Sequence, residues 1–148
     1  MNTLRTACLC VTLAALAACA SSGGSVGEPA SGNEAAIANM NLGAGYLRQG
    51  NTTLAIERLQ RALAQDPNLV QAHTTIGLAY NQIGSFDDAE EHFKRATQLE
   101  PGNGIAANAY AAFLCEHGNR WADAEPYFRR AAADTKYPTP EVALTNAG

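Results

Sequence analysis

Hydrophobic positions fall into three regimes along the chain. From Ala7 to Ala18 they are almost continuous, with Arg5 in front and small residues at the end. From Ala20 to Asn33 the text ASSGGSVGEPASGN shows no apolar periodicity. From Glu34 onward, apolar and small residues recur at spacings of three and four, the period of helices with one buried face. Leu42, Gly43 and Tyr46 mark a first helix, and Ala55, Leu59 and Ala62 a second. Ile76, Gly77 and Tyr80 mark a third, and Ala89, Phe93 and Ala96 a fourth. Pro67 and Pro101 stop the second and fourth helices and turn the chain. Asn51 and Ser85 are expected to cap those two helices at their starts, and Asp87, Asp88 and Glu90 favour a helix N-terminus.

The pattern repeats. Gly50, Gly84 and Gly118 are spaced by 34, as are Gly43, Gly77 and Ala111, and Pro67 and Pro101. This period and its small-residue signature resemble the tetratricopeptide repeat. The leading tryptophan of that pattern is replaced by Asn39 and His73. The resemblance implies an all-α superhelix of antiparallel helix pairs, with repeats over 36–69, 70–103 and 104–140. EVALTNAG, over 141–148, begins the first helix of a fourth. Small residues let paired helices approach, while Tyr46, Leu59, Tyr80 and Phe93 fill the space between repeats. The third unit departs: it has one extra residue between Gly118 and Ala124, and Pro126 should remove a helical hydrogen bond. Glu57–Arg61, Glu90–Lys94, Glu91–Arg95 and Glu125–Arg129 have the i, i+4 spacing of surface ion pairs and are read as a solvated outer face.

The repeats change the meaning of the first regime. Its apolar run of about a dozen residues falls short of the roughly 20 that span a bilayer, and with Arg5 it reads as a secretory signal. Leu16, Ala17, Ala18 and Cys19 resemble the bacterial lipobox, whose cysteine is acylated and becomes the first mature residue. The expected organisation is a signal peptide over 1–18, lipidated Cys19 with a tether over 19–33, and a repeat domain over 34–148. The tether would reach roughly 20 Å over its Gly- and Ser-rich length. By resemblance to lipoprotein sorting rules, Ala20 and Ser21 lack the aspartate of inner-membrane retention, implying the periplasmic face of the outer membrane. Of the four cysteines, Cys8 and Cys10 leave with the signal and Cys19 carries lipid, so Cys115 is left without a disulfide partner.

Composition agrees with packed helices: 47% of residues are hydrophobic but only 7% aromatic. A net charge of −4 argues against nucleic acid as a partner. No GxSxG, P-loop, HExxH or CxxC motif is present, so no enzyme, cofactor, metal or small-molecule substrate is expected. His73 takes the structural tryptophan place, His92 lies on a second helix and His117 beside a turn, a poor set for one metal site. Cys115, in AFLCEHG, reads as a small buried hydrophobe.

Binding remains. First helices of such arrays line a concave groove, here built from Ile37, Met40, Asn41, Ala44 and Leu47 in the first repeat. Gln71, Thr74, Thr75, Leu78 and Asn81 continue it in the second, and Ile105, Asn108, Ala109 and Ala112 in the third. Met40, Ala44 and Thr75 stand where chaperone-type members carry carboxylate-clamping cations, so the groove suits an amphipathic or extended peptide held by apolar anchors. Packing between repeats is the competing role for some of these side chains.

Asn108, Tyr110, Phe113, Leu114 and Cys115, then Tyr127 and Phe128, then Tyr137, Pro138 and Pro140, and finally Asn146, Ala147 and Gly148 form a more specific phrase. With the lipobox and repeats, it resembles the type IV pilus biogenesis and stability lipoproteins, the pilotins of the pilus secretin. The resemblance implies a non-enzymatic outer-membrane lipoprotein that binds secretin subunits and promotes their localisation and multimerisation through its early repeats. The alternative is a tetratricopeptide lipoprotein that scaffolds another envelope machine, such as cell-wall enzymes or outer-membrane protein assembly.

Overall fold

A computed structural model describes residues 32–117 and 120–146. The expected signal, Cys19 and most of the expected tether lie outside the described residues, as do Gly118, Ala147 and Gly148. The described chain forms seven helices and no strand. They are α1 (Gly32–Arg48), α2 (Thr52–Gln65), α3 (Val70–Gln82), α4 (Phe86–Leu99), α5 (Gly104–Glu116), α6 (Trp121–Ala133) and α7 (Pro140–Asn146). The all-α architecture of paired helices is therefore present. α1 begins at Gly32, inside the stretch read from sequence as tether.

The first two pairs are each drawn together by a missing side chain. A Cβ on Gly43 would lie 2.6 Å from Leu59 Cγ, and one on Gly77 would lie 2.9 Å from two ring atoms of Phe93. The turns within the first two pairs share one construction. Gly50 (φ 77°) and Gly84 (φ 80°) occupy the left-handed region, where a Cβ is unfavourable. Beyond each, the N–H of Asn51 reaches Tyr46 O at 2.9 Å and that of Ser85 reaches Tyr80 O at 3.0 Å, closing the helix in a Schellman turn. Neither Asn51 nor Ser85 caps the following helix with its side chain, contrary to the expectation above, because the glycine turn sets the entry geometry. The side-chain cap occurs elsewhere: Asn103 Oδ1 accepts from Ala106 N–H at 3.0 Å to open α5. The extra residue of the third unit is absorbed in the α5–α6 turn, where Arg120 N–H donates to Leu114 O one residue further back than in the earlier turns.

Two apolar clusters run through the array. The first joins Ala55, Leu59 and Ala62 of α2 to Ala72, Ile76 and Ala79 of α3. The second joins Ala89 and Phe93 of α4 to α5, α6 and Ala143 of α7, with Tyr110, Phe113, Leu114 and Phe128 as its bulk. Tyr80 packs against both. The alternation of small and large residues seen in sequence is thus the interlock between pairs. α7 enters this core through Ala143, with Pro140 at its first position, where a missing N–H costs nothing.

Of the four i, i+4 pairs expected on second helices, Arg61–Glu57 closes at 2.7 Å and Arg129–Glu125 at 2.8 Å. The other two give way to longer-range partners. Glu90 faces α5 and α6, accepting from Tyr110 Oη at 3.0 Å and from Arg120 Nη1 at 2.8 Å. Arg95 donates to Asn68 Oδ1 at 3.1 Å in the α2–α3 turn. A bond that ties two repeats together outcompetes one along a single solvated face.

Candidate binding groove

The first helices α1, α3 and α5 pack against one another in sequence, whereas each second helix packs on the first helix of its own pair and of the next. This asymmetry gives the array an inner side made by first helices. Ile37 and Leu78 are exposed there, at 39% and 45%, and Ile105 more so. Met40 and Leu47 are half-buried and rest on the first apolar cluster, so part of each is committed to packing. Ala44 is half-buried between them in register. Asn81 is also half-buried: its Nδ2 donates to Glu116 Oε2 at 3.3 Å, bridging α3 to α5, while its Oδ1 is buried with no partner. Asn108 on α5 has a buried Oδ1 in the same condition.

Not every residue read into the groove faces it. Thr74 is buried and its hydroxyl donates to Val70 O at 3.0 Å on its own helix. Ala109 packs against the second cluster. Thr75 bonds Gln71 O at 2.7 Å and stays half-buried. The remaining groove residues are themselves uncharged, apolar at Ile37, Leu78 and Ile105 with amides between, and the exposed Glu116 carboxylate borders them at Asn81. They offer dispersion contacts and a few hydrogen-bonding groups, and no charge for a carboxylate terminus.

A cavity of about 320 Å³ opens between α5, α6 and α7, lined by Ala112, Cys115, Glu116, Trp121, Phe128 and Asn146. Cys115 is half-buried rather than enclosed, and burial raises its thiol above the ordinary value, which keeps it protonated and a weak nucleophile. Among the described residues, no group of three or more His, Cys, Asp or Glu side chains could hold a metal ion. No described helix is long and apolar enough to cross a membrane.

Sequence reasoning missed two clusters. His73 and His92, read as separate, face each other with their Nδ1 atoms 2.9 Å apart. The signal available was that His73 lies on a first helix and His92 on the second helix of the same repeat, which pack against each other. His117 lies apart, its ring 4.0 Å from that of Phe86 and 5.0 Å from that of Phe113 between centroids. The second cluster is Glu90–Tyr110–Arg120. Burial and then the hydrogen bond to Glu90 raise the Tyr110 phenol well above its ordinary value. Nothing in the i, i+4 spacing points to it, because Arg120 comes from a turn altered by the extra residue.

Comparison with known proteins places these features. Two tetratricopeptide-repeat models match, over residues 34–99 and 74–139. The type IV pilus assembly protein PilF of Pseudomonas aeruginosa is 32% identical over 116 residues, covering 78% of this chain and 46% of its own length. The crystal structure of PilW, a widely conserved type IV pilus biogenesis factor, superposes with a TM-score of 0.73 at 31% identity, over 78% of this chain and 52% of that one. A solved Pseudomonas aeruginosa pilF structure gives 0.74 at 31% identity over the same shares. The chain thus spans about half the length of these relatives.

Proposed function

The chain belongs to the tetratricopeptide-repeat family, and we propose that it serves type IV pilus biogenesis as a lipid-anchored pilotin on the periplasmic face of the outer membrane. In this reading Cys19 carries the lipid, the segment after it gives reach, and the repeats hold secretin subunits and promote their multimerisation. The carrying observation is the similarity to PilF and PilW across 78% of this chain, at 31–32% identity and with the same fold. The lipobox-like LAAC before the repeats supports the anchored location. The role is one of binding, without catalysis: the repeats present a surface, and the groove offers apolar anchors and amides in place of a reactive constellation. The groove of Ile37, Met40, Ala44, Leu47, Leu78 and Asn81 is the proposed secretin surface. Its uncharged character suits an apolar segment of the partner better than an acidic tail.

Two experiments test this. Deleting the gene should reduce secretin multimers in outer-membrane fractions and abolish twitching; unchanged multimers and pili would remove the pilotin role and leave a scaffold for another envelope machine. Ile37→Glu and Leu78→Glu change two exposed anchors of the first two repeats, neither of them a core residue, and should abolish co-purification of the secretin. Retained binding with both would move the partner surface off this groove. Met40→Glu and Leu47→Glu are poorer probes, since both side chains also pack on the first cluster.

A further inference from the structure

The contact between His73 and His92 has room for a limited number of protons. His73 is buried, and its Nε2–H donates to Pro67 O at 3.0 Å in the α2–α3 turn. That bond assigns the neutral His73 a bare Nδ1, which accepts from Nδ1–H of His92 at 2.9 Å. His92 is half-buried and stacks on Tyr80, with ring centroids 5.6 Å apart and planes 5° from parallel. One added proton fits on His92 Nε2 with both hydrogen bonds intact. A second has only His73 Nδ1, where it would confront the N–H of His92 at the same short distance. The two donors then force the rings apart.

We propose that the His73–His92 pair is a proton-operated latch at the joint between the first two helix pairs, closed while it holds no more than one extra proton and opened by the second. The latch ties three segments: the turn at Pro67, α3 through His73 and Tyr80, and α4 through His92. Opening it frees the turn through which α2 hands over to α3, and so loosens the side of the groove between Ile37 and Leu78. The charged groups around it come from every packed segment. On α4, Glu91 faces both rings and Asp88 faces His92, and both favour protonation. Arg95, also on α4, opposes it at His73 and is tied to the same turn through Asn68. In the turn, Asp66 accepts from Asn68 N–H and from Asn33 Nδ2. α2 contributes neutral Gln60, which donates to Tyr80 Oη. Burial outweighs the carboxylates: both rings lie below the ordinary 6.5, and for His92 the neighbouring His73 lowers it further.

The sign of the effect follows. Because the folded rings bind protons less readily than the unfolded chain, their contribution to stability is complete above pH 6.5 and is lost as pH falls below it. Each proton taken up only on unfolding raises the unfolding constant by up to ~10-fold per pH unit, and two by up to ~100-fold. Urea unfolding of the full-length chain in mild detergent from pH 7.5 to 5 measures this, compared with His92→Phe, which keeps the stack on Tyr80 but cannot donate. The wild type should be more pH-sensitive than the variant by about 10-fold per pH unit in the unfolding constant. Histidine ring NMR of the wild type, read in parallel, should show His92 titrating first and His73 later, with amide shifts over residues 67–73 accompanying the second step alone. Equal pH dependence in the two chains, or two rings titrating together at the ordinary value, overturns the latch. Should His92→Phe fail to fold, the ring titration of the wild type decides.

Discussion

Replacing Gly43 with alanine tests the close approach that sets the first wall of the groove. The new Cβ would stand 2.6 Å from Leu59 Cγ, 3.0 Å from its Cδ2 and 3.1 Å from the Ala55 carbonyl oxygen. Carbon atoms in contact prefer about 3.5–4.0 Å, so α2 must recede by roughly 1 Å. Leu59 cannot swing away, because it is fully buried and the clash falls at its branch point. Alanine in a helix interior is worth about 1 kcal/mol over glycine, while overpacking a tight core costs about 1–3 kcal/mol. The expected net loss is about 1 kcal/mol. Leu59→Ala alone should cost about 2–5 kcal/mol, through lost contacts and the cavity left behind. In that background both Leu59 contacts are gone and the 3.1 Å approach to the Ala55 carbonyl oxygen is the one that remains, so Gly43→Ala should now stabilise by up to about 1 kcal/mol. The predicted signature is therefore a reversal of sign, a coupling of about 2 kcal/mol between touching residues. Urea unfolding followed by circular dichroism on the four chains measures it. A Gly43→Ala chain more stable than wild type, or additive effects in the double variant, would refute the argument that glycine is required by helix proximity.

Phe93→Ala should cost about 3–5 kcal/mol by the same assay, since the ring fills the junction of the second and third pairs and touches Tyr110 and Phe113; a loss under 1 kcal/mol would show that the pairs do not interlock there. Glu90→Gln removes the charge that Arg120 grips with both oxygens but leaves an acceptor for Tyr110. It should cost about 1 kcal/mol, modest because both partners are partly solvated. In a spectrophotometric titration, the Tyr110 phenol should ionise more readily yet remain above the ordinary value, since burial is the larger cause. Asp134 is held below the usual carboxylate value by N–H groups of Lys136 and Gly104. Its contribution is therefore present above pH 3.8 and is lost as pH falls through its lower folded value, so Asp134→Asn should flatten acid unfolding in that range.

Periodicity alone determined the number of helices, their pairing and their order, because a 34-residue repeat of small and large residues has few ways to bury its apolar stripes. Local backbone sterics likewise made the helix stops before Pro67 and Pro101 legible, whereas the left-handed φ of Gly50 and Gly84 came only with the structure. The groove was legible as a set of first-helix positions, but which of them face solvent was not. Thr74 and Leu78 lie on the same helix, and only neighbouring helices decide that one is enclosed and the other bare. Side-chain pairings were the least legible. Glu90 and Arg95 have good partners one turn away, yet the structure gives them to Arg120 and Asn68, because a polar group near a junction gains more from a bond that joins two elements. His73 and His92 carry no motif between them. Their shared proton exists only because two helices and a turn bring two rings and a carbonyl within bonding distance at a half-buried point, where the dielectric makes each hydrogen bond, and each extra proton, count.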